Sequence, residues 1–201
     1  MSDKITKKVF LICPIGEEKY GVRAHLDKLL KMLGNALNPI HYELVRADKI
    51  GDIGIITRQI INELLSADFV IADITHLNAN VFYELAIRDC AKKPGMIIYD
   101  KSLMDSKKIP FDVNAVRTFY YDVDIADAWT EFQSKLVDQL QKTQSKDYTC
   151  INTVTAALDS PEYFSLEMKR YDSTLENLSK SLYSLKQEIG ERIDSVSERT
   201  S

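Results

Sequence analysis

The densest cluster of polar residues along the chain is Asp73-Ile74-Thr75-His76-Leu77-Asn78-Ala79-Asn80-Val81-Phe82-Tyr83-Glu84-Leu85. The apolar run Phe69-Val70-Ile71-Ala72 leads into Asp73, which places the aspartate where a buried strand emerges. Asn78 or Asn80 can cap the next helix by accepting a bond from its free backbone N–H groups. Glu84 then falls in the first turn or so of that helix, with its side chain able to lean toward the strand ends. Neighbouring strand ends contribute Pro14-Ile15-Gly16, whose glycine lets backbone amides approach a ligand, and Arg46 with Asp48. A carboxylate near such sugar-binding groups suits cleavage at an anomeric carbon, where the transition state resembles an oxocarbenium ion. The glutamate can attack that carbon or stabilise its charge while a second group assists departure of the base. That chemistry needs no metal and no cofactor. The same residues also have a plain structural reading. Asp73, Asn78 and Asn80 can be loop and cap residues, and Glu84 a favourable acid early in a helix.

The elements that must position this cluster alternate in type. Val9 to Cys13 is a continuous apolar run ended by Pro14, which reads as a buried central strand. A helical pattern follows on Val22, Leu26, Leu29, Leu30, Leu33 and Leu37. Tyr42 to Ala47 reads as a second strand, and Ile55, Ile56, Ile60, Ile61, Leu64 and Leu65 mark a second helix. Strands are expected again at Phe69 to Ala72, Met96 to Tyr99 and Thr118 to Tyr121, with helices from Val81 to Ala91 and from Ile125 to Leu140. Such β-then-α units predict an α/β fold: a flavodoxin-like or Rossmann-like doubly wound parallel sheet of about five strands. Ligands in such folds bind beyond the carboxyl ends of the strands, where the cluster above would lie.

A different pattern takes over after the polar break Gln144 to Asp147, so one domain is expected over 1–145 and a helical segment over 146–201. Phe164, Met168, Tyr171, Leu175, Leu178, Leu182, Leu185 and Ile189 step by alternating fours and threes, a heptad stripe that continues with Ile193 and Val196 after one extra residue. A helix of about 36 residues would be roughly 54 Å long, too long for one small domain to bury a narrow stripe along it. The stripe predicts a coiled coil through residues 160–198, with another copy of the chain or with a partner helix. A helix lying along its own domain is the plainer reading.

Composition excludes several classes. The chain has 201 residues, 45% of them hydrophobic and 28% charged, near the globular average. A net charge of −4 argues against coating nucleic acid or an anionic membrane. The apolar start is cut by Pro14 and Gly16, so it reads as a strand and not as a signal peptide, and no run is long enough to span a membrane. Cys13, Cys90 and Cys150 are widely spaced and His25, His41 and His76 are few, which gives little support to a zinc site or a disulfide framework. A cytoplasmic protein is the expectation. His76 reads either as a proton shuttle or as an exposed loop residue. Arg46 reads as a phosphate contact or as a strand-end ion pair, and Arg23 as a solvent-facing helix residue.

The stretch ADFVIADITHLNANVFYELAIRDCAKKPGMIIY, preceded by VFLICPIG and YELVRAD, resembles the nucleoside 2-deoxyribosyltransferase-like proteins. That superfamily is structurally akin to TIR domains, and several members look like effectors in bacterial antiphage systems. The resemblance covers residues 8–123 and stops short of the terminal helix. It implies that Glu84 attacks or supports C1′ of the sugar and that Asp73 helps bind the nucleoside. TIR NADases place their glutamate on the corresponding helix, so Glu84 fits both. Asn78-Ala79-Asn80-Val81 departs from the small-residue approach of the classical transferases, which leaves ribosides, nucleotides and NAD open as substrates. Classical members complete the site with a neighbouring subunit, an association the heptad helix could supply. The expected activity is N-glycosidic cleavage, with a nucleotide-binding sensor or assembly module as the alternative.

Overall fold

The computed structural model describes residues 7–14, 21–46, 56–114, 116–159 and 161–199. The chain divides into two compact units, Met1–Thr155 and Ala156–Ser201. The first unit is built on strands β1 (Lys7–Ile12), β2 (Tyr42–Arg46), β3 (Phe69–Asp73), β4 (Gly95–Asp100) and β5 (Thr118–Tyr121). All neighbouring pairs are parallel and the order is β2-β1-β3-β4-β5. This is the flavodoxin-like of the two doubly wound arrangements, and the chain reverses direction across the sheet between β1 and β3.

The helices are α1 (Val22–Leu37), α2 (Ile56–Ser66), α3 (Ala79–Cys90), α4 (Phe111–Asn114), α5 (Ala126–Lys142), α6 (Thr153–Leu158) and α7 (Pro161–Arg199). Alternate residues along each strand face opposite sides of the sheet, and two apolar clusters result. Val9, Leu11, Phe69, Ile71, Met96, Ile98 and Phe119 pack with Leu26, Leu29 and Leu33 of α1 and Phe132 and Leu136 of α5. Phe10, Ile12, Val70, Ala72, Ile97 and Tyr99 pack on the other side with Leu64 of α2 and Val81 and Leu85 of α3. With both faces covered, strand residues are apolar in succession, and all five residues of β3 are buried.

The first unit reaches Thr155, past the boundary expected at 145. The polar break is followed by a segment that hydrogen-bonds back onto the end of α3 and the turn after it. Asn152 Nδ2 donates to the Asp89 carbonyl at 3.3 Å and the Cys150 thiol to the Lys93 carbonyl at 3.3 Å. Asn152 and Thr155, both buried, close the turn by exchanging bonds of 2.7 and 2.8 Å. The second unit is dominated by α7, 39 residues long and so about 58 Å. Along it Met168, Tyr171, Leu175, Leu178, Leu182, Leu185 and Ile189 are 46–67% exposed, so the apolar stripe faces outward. The side chains of Phe164, Ile193 and Val196, which would extend the stripe, lie outside the described set. Among the described residues no helix is long and apolar enough to cross a membrane.

One side chain, not singled out by sequence, locks the amino-terminal side of the sheet. Arg88 is fully buried on the inner face of α3. Its guanidinium donates to the Leu64 carbonyl at 2.6 Å and to the Pro94 carbonyl at 2.8 and 3.2 Å, tying the end of α2 to the start of β4. Burial lowers its pKa to about 10, with Cys150, Asp68, Tyr148 and Asp89 opposing the shift, so it remains charged at neutral pH. Arg88→Leu takes the guanidinium donor from the buried Leu64 carbonyl and leaves the Pro94 carbonyl with the Val70 N–H alone. A loss of about 2–5 kcal/mol in urea unfolding is expected, and an unchanged midpoint would show that the clamp carries no stability.

Candidate functional site

Asp73, Asp100 and Tyr121 are the last residues of β3, β4 and β5. Each shares strand parity with residues packed under α1 and α5, so all project on that face of the sheet. The Asp73 carboxylate, with zero exposure, is fully engaged. Its Oδ1 accepts the Thr75 N–H at 3.0 Å and the Thr75 hydroxyl, and its Oδ2 accepts the Tyr121 hydroxyl at 3.0 Å. Burial raises its pKa, and the bonds from Thr75 and Tyr121 and the nearby His25 pull it back. Each hydroxyl has one proton, and both protons are spent on Asp73. Thr75 Oγ1 is therefore an acceptor, taking the Asp100 N–H at 2.9 Å. By the same count the Tyr121 oxygen accepts from His25 Nε2, 3.0 Å away, which assigns a proton to that nitrogen.

Asp100, also at zero exposure, accepts the Ser102 N–H at 2.7 Å and the Ser102 hydroxyl at 2.6 Å through Oδ1. Its Oδ2 has no hydrogen bond and lies 3.8 Å from His25 Nδ1. One connected set of groups thus stitches the carboxyl ends of three strands to α1. Above it is a cavity of about 340 Å³, lined by the start of α1 from Gly21 to Lys28 and by His76, Ser102, Leu103, Val123 and Asp124. Gly21 starts α1 with φ +75°, a left-handed conformation that suits glycine. The His25 and His76 rings meet edge to face with centroids 6.1 Å apart, and His76 Nε2 is buried without a partner.

Glu84 is placed quite differently. It lies in the second turn of α3, on the stripe shared with Val81, Leu85 and Arg88 that faces the sheet. That is the opposite face from Asp73, so the two side chains arise on different sides of β3. Glu84 is half-buried, and desolvation raises its pKa to about 7. No hydrogen bond or ion pair to it is found among the described residues. Asp89, farther along α3, is also pushed up to about 6 by desolvation, against the pull of Arg88.

The remaining expected site residues divide by location. Asn78 caps α3, its side chain accepting the Asn80 N–H at 2.9 Å, while Asn80 itself is exposed in the first turn. The turn before this cap is closed by Leu77 N–H on the Ile74 carbonyl at 2.9 Å, with Leu77 at φ +50°. Pro14 is buried just beyond β1. Arg46 ends β2 on the α1 side, with its guanidinium 4.0 Å from the Asp27 carboxylate, a strand-end ion pair. Ile15, Gly16 and Asp48 lie outside the described residues. The cap of α3 and Glu84 belong to one helix, whereas Asp73 and Arg46 point to the other face. His25, Asp100, Ser102 and Tyr121 were not anticipated. The available signal was positional, because Asp100 and Tyr121 end strands just as Asp73 does. No cluster of His, Cys, Asp or Glu suited to a metal occurs among the described residues.

The raised pKa of Glu84 has a direction for stability. Between its ordinary value of 4.5 and about 7 the folded chain holds a proton that the unfolded chain has released, so stability falls as pH rises through this window. Glu84→Gln removes this dependence. The variant is expected to match the parent near pH 4.5 and to be more stable above pH 7 by about 1 kcal/mol, allowing for solvent screening of a half-exposed group. Chemical denaturation at both pH values checks it, and coincident profiles would show that Glu84 is not desolvated.

No protein-family model matches the chain, and no curated protein matches it. Among solved structures, the chain is similar to a CMP N-glycosidase of Clostridium botulinum, BcmB, at 13% identity and a TM-score of 0.44, over 65% of this chain and 98% of that one.

Proposed function

We propose that the protein is an N-glycosidase acting on a nucleoside, a nucleotide or NAD, with Glu84 as the catalytic carboxylate. The observation that carries this reading is Glu84 itself: a half-buried, desolvated carboxyl without a partner among the described residues, set on the helix that follows the central strand β3. A carboxylate kept out of water and unpaired is suited to stabilise positive charge that develops only in the transition state. In the covalent version a Glu84 oxygen bonds to C1′ as the C1′–N bond breaks and the departing base keeps the electron pair; a nucleobase takes up a proton from solvent, which the attacking water later returns, whereas the pyridinium ring of NAD leaves as neutral nicotinamide. Water then attacks C1′ and releases the sugar, which restores Glu84. The resemblance of the Asn-x-Asn-Val-Phe-Tyr-Glu-Leu string to the deoxyribosyltransferase-like proteins supports the same assignment. A role as an antiphage effector belongs to this reading.

The sealed carboxylate of Asp73 favours a second reading, a nucleotide-binding sensor that does not turn its ligand over. Both oxygens of Asp73 are already bonded within the protein, and the Asn78 side-chain oxygen is used on its cap. Release of free base separates the two readings. Purified protein incubated with NAD, nucleosides and nucleotides is expected to liberate base, with Glu84→Gln slower by about 10³-fold or more at unchanged fold. Because the ionised form acts, kcat/KM should climb as pH rises through about 7. A Glu84→Gln protein with full activity, or a rate that falls over that range, rules the assignment out.

Self-association through α7 is part of the same proposal. Seven outward apolar residues at heptad spacing form the narrow seam of a coiled coil, and a second copy offers the matching seam. Light scattering on the full chain should give a multiple of the single-chain mass. Leu175→Asp with Leu182→Asp should return it to one, and a parent already monomeric at micromolar concentration would refute the seam.

A further inference from the structure

We propose that the apolar seam of α7 pairs antiparallel with the same seam of a second copy, centred on Lys180, so that the two amino ends of α7 lie at opposite ends of the coil. The pairing rests on the self-association proposed above and fixes its direction and register. From Glu167 to Ile189 every side chain of α7 is exposed, and apart from Tyr183 the large apolar ones fall at two heptad positions. Met168, Leu175, Leu182 and Ile189 occupy the first of them, a, and Tyr171, Leu178 and Leu185 the fourth, d. Asp172, Ser179 and Lys186 lie at e, beside the a row, and Glu167, Thr174, Ser181 and Glu188 at g, beside the d row. With both flanks polar, the stripe is narrow and suits one partner helix.

The apolar rows do not choose a direction, because leucine fills the middle of both. The flanks do. In a parallel pair each g residue faces the e residue five positions on in the other helix. In register, that sets Glu167 against Asp172 of the second copy, twice by symmetry, and leaves Lys186 facing Ser181. The acids repel and no attraction offsets them. Reversing one helix brings like flanks together, e against e and g against g. Leu175 then meets Leu185 of the second copy, Leu178 meets Leu182, and Tyr171 meets Ile189. In that register Asp172 faces Lys186 on both sides of the twofold axis, and Thr174 faces Glu188. A slide of one heptad toward the amino ends sets Glu167 against Glu188 and loses the Asp172–Lys186 pairs. A slide the other way gives up the outermost apolar layers. One register keeps both the seam and the charge pairs.

Sedimentation equilibrium of the full chain at low salt reads the direction through charge. Asp172→Lys turns two attractions of the antiparallel pair into repulsions and should raise the dimer Kd about tenfold. In a parallel pair the same change would make the contact with Glu167 attractive and tighten the dimer. Lys186→Asp should weaken the dimer as Asp172→Lys does. Combining Asp172→Lys with Lys186→Asp should return Kd to within about threefold of the parent, a rescue that helix propensity alone would not give. In about 1 M salt the four proteins should converge. A dimer that tightens with Asp172→Lys, ignores both single changes, or stays weak in the double variant overturns the antiparallel seam and leaves self-association standing, as does an assembly of more than two chains. A parent that is monomeric at micromolar concentration overturns both.

Discussion

A carboxylate with zero exposure must be met on every side, and Asp73 imposes that demand on the whole carboxyl edge of the sheet. Its partners come from its own turn, through Thr75, and from β5, through Tyr121, with β4 lying between. Because Thr75 and Tyr121 give Asp73 their only hydroxyl protons, their oxygens can only accept, and they do so from the Asp100 amide and from His25. The chain of consequences ties three strand ends to α1. Removing any one group leaves others buried and unpaired, so the set stands or falls together.

The sheet separates this satisfied charge from an unsatisfied one. On the α1 and α5 face, every carboxylate oxygen of Asp73 is bonded and only Oδ2 of Asp100 is left to a histidine 3.8 Å away. On the α2 and α3 face, Glu84 is desolvated with no compensating donor among the described residues, and burial raises its pKa to about 7. Arg88 shows that the same helix can hold a charge and satisfy it: one turn farther on, it has two backbone carbonyls to bond. The contrast marks Glu84 as a group whose environment costs stability without giving structure in return, and the proposed catalytic role rests on that imbalance.

Most of the fold was legible because the signals were local. Val9 to Cys13 and Phe69 to Ala72 are apolar in succession, and only strands covered on both faces read that way. The α/β alternation and the heptad stripe of α7 were equally plain. What could not be read was parity between distant elements. Asp73 and Glu84 lie eleven positions apart, and the turn from Ile74 to Asn78 moves the chain to the opposite face. Tyr121 approaches Asp73 only because β5 lies two strands away with Phe119 in register with Ile98. His25 was one helical residue among many until α1 set it over that pair. Arg88 lies near the end of α3, where nothing in the local sequence distinguishes it from a surface cation. Its burial depends on where the carbonyls of Leu64 and Pro94 fall, and no sequence window contains both. The end of the first unit was missed for a similar reason, since Asn152 bonds back to Asp89 across a polar break that reads as a boundary.

A rigid polar floor and a soft set of loops above it make physical sense together. The stitched groups fix the strand ends, so residues that rise from them, such as His76 and Ser102, keep their positions without help from a ligand. The rim itself includes exposed loop residues such as Leu103 at 54% exposure. Stability is thus concentrated in the buried bonds below, and the unpaired nitrogen of His76 sits at the boundary between the two layers. A group buried enough to lose water but not enough to gain a protein partner is held there by its neighbours' packing, not by its own bonding.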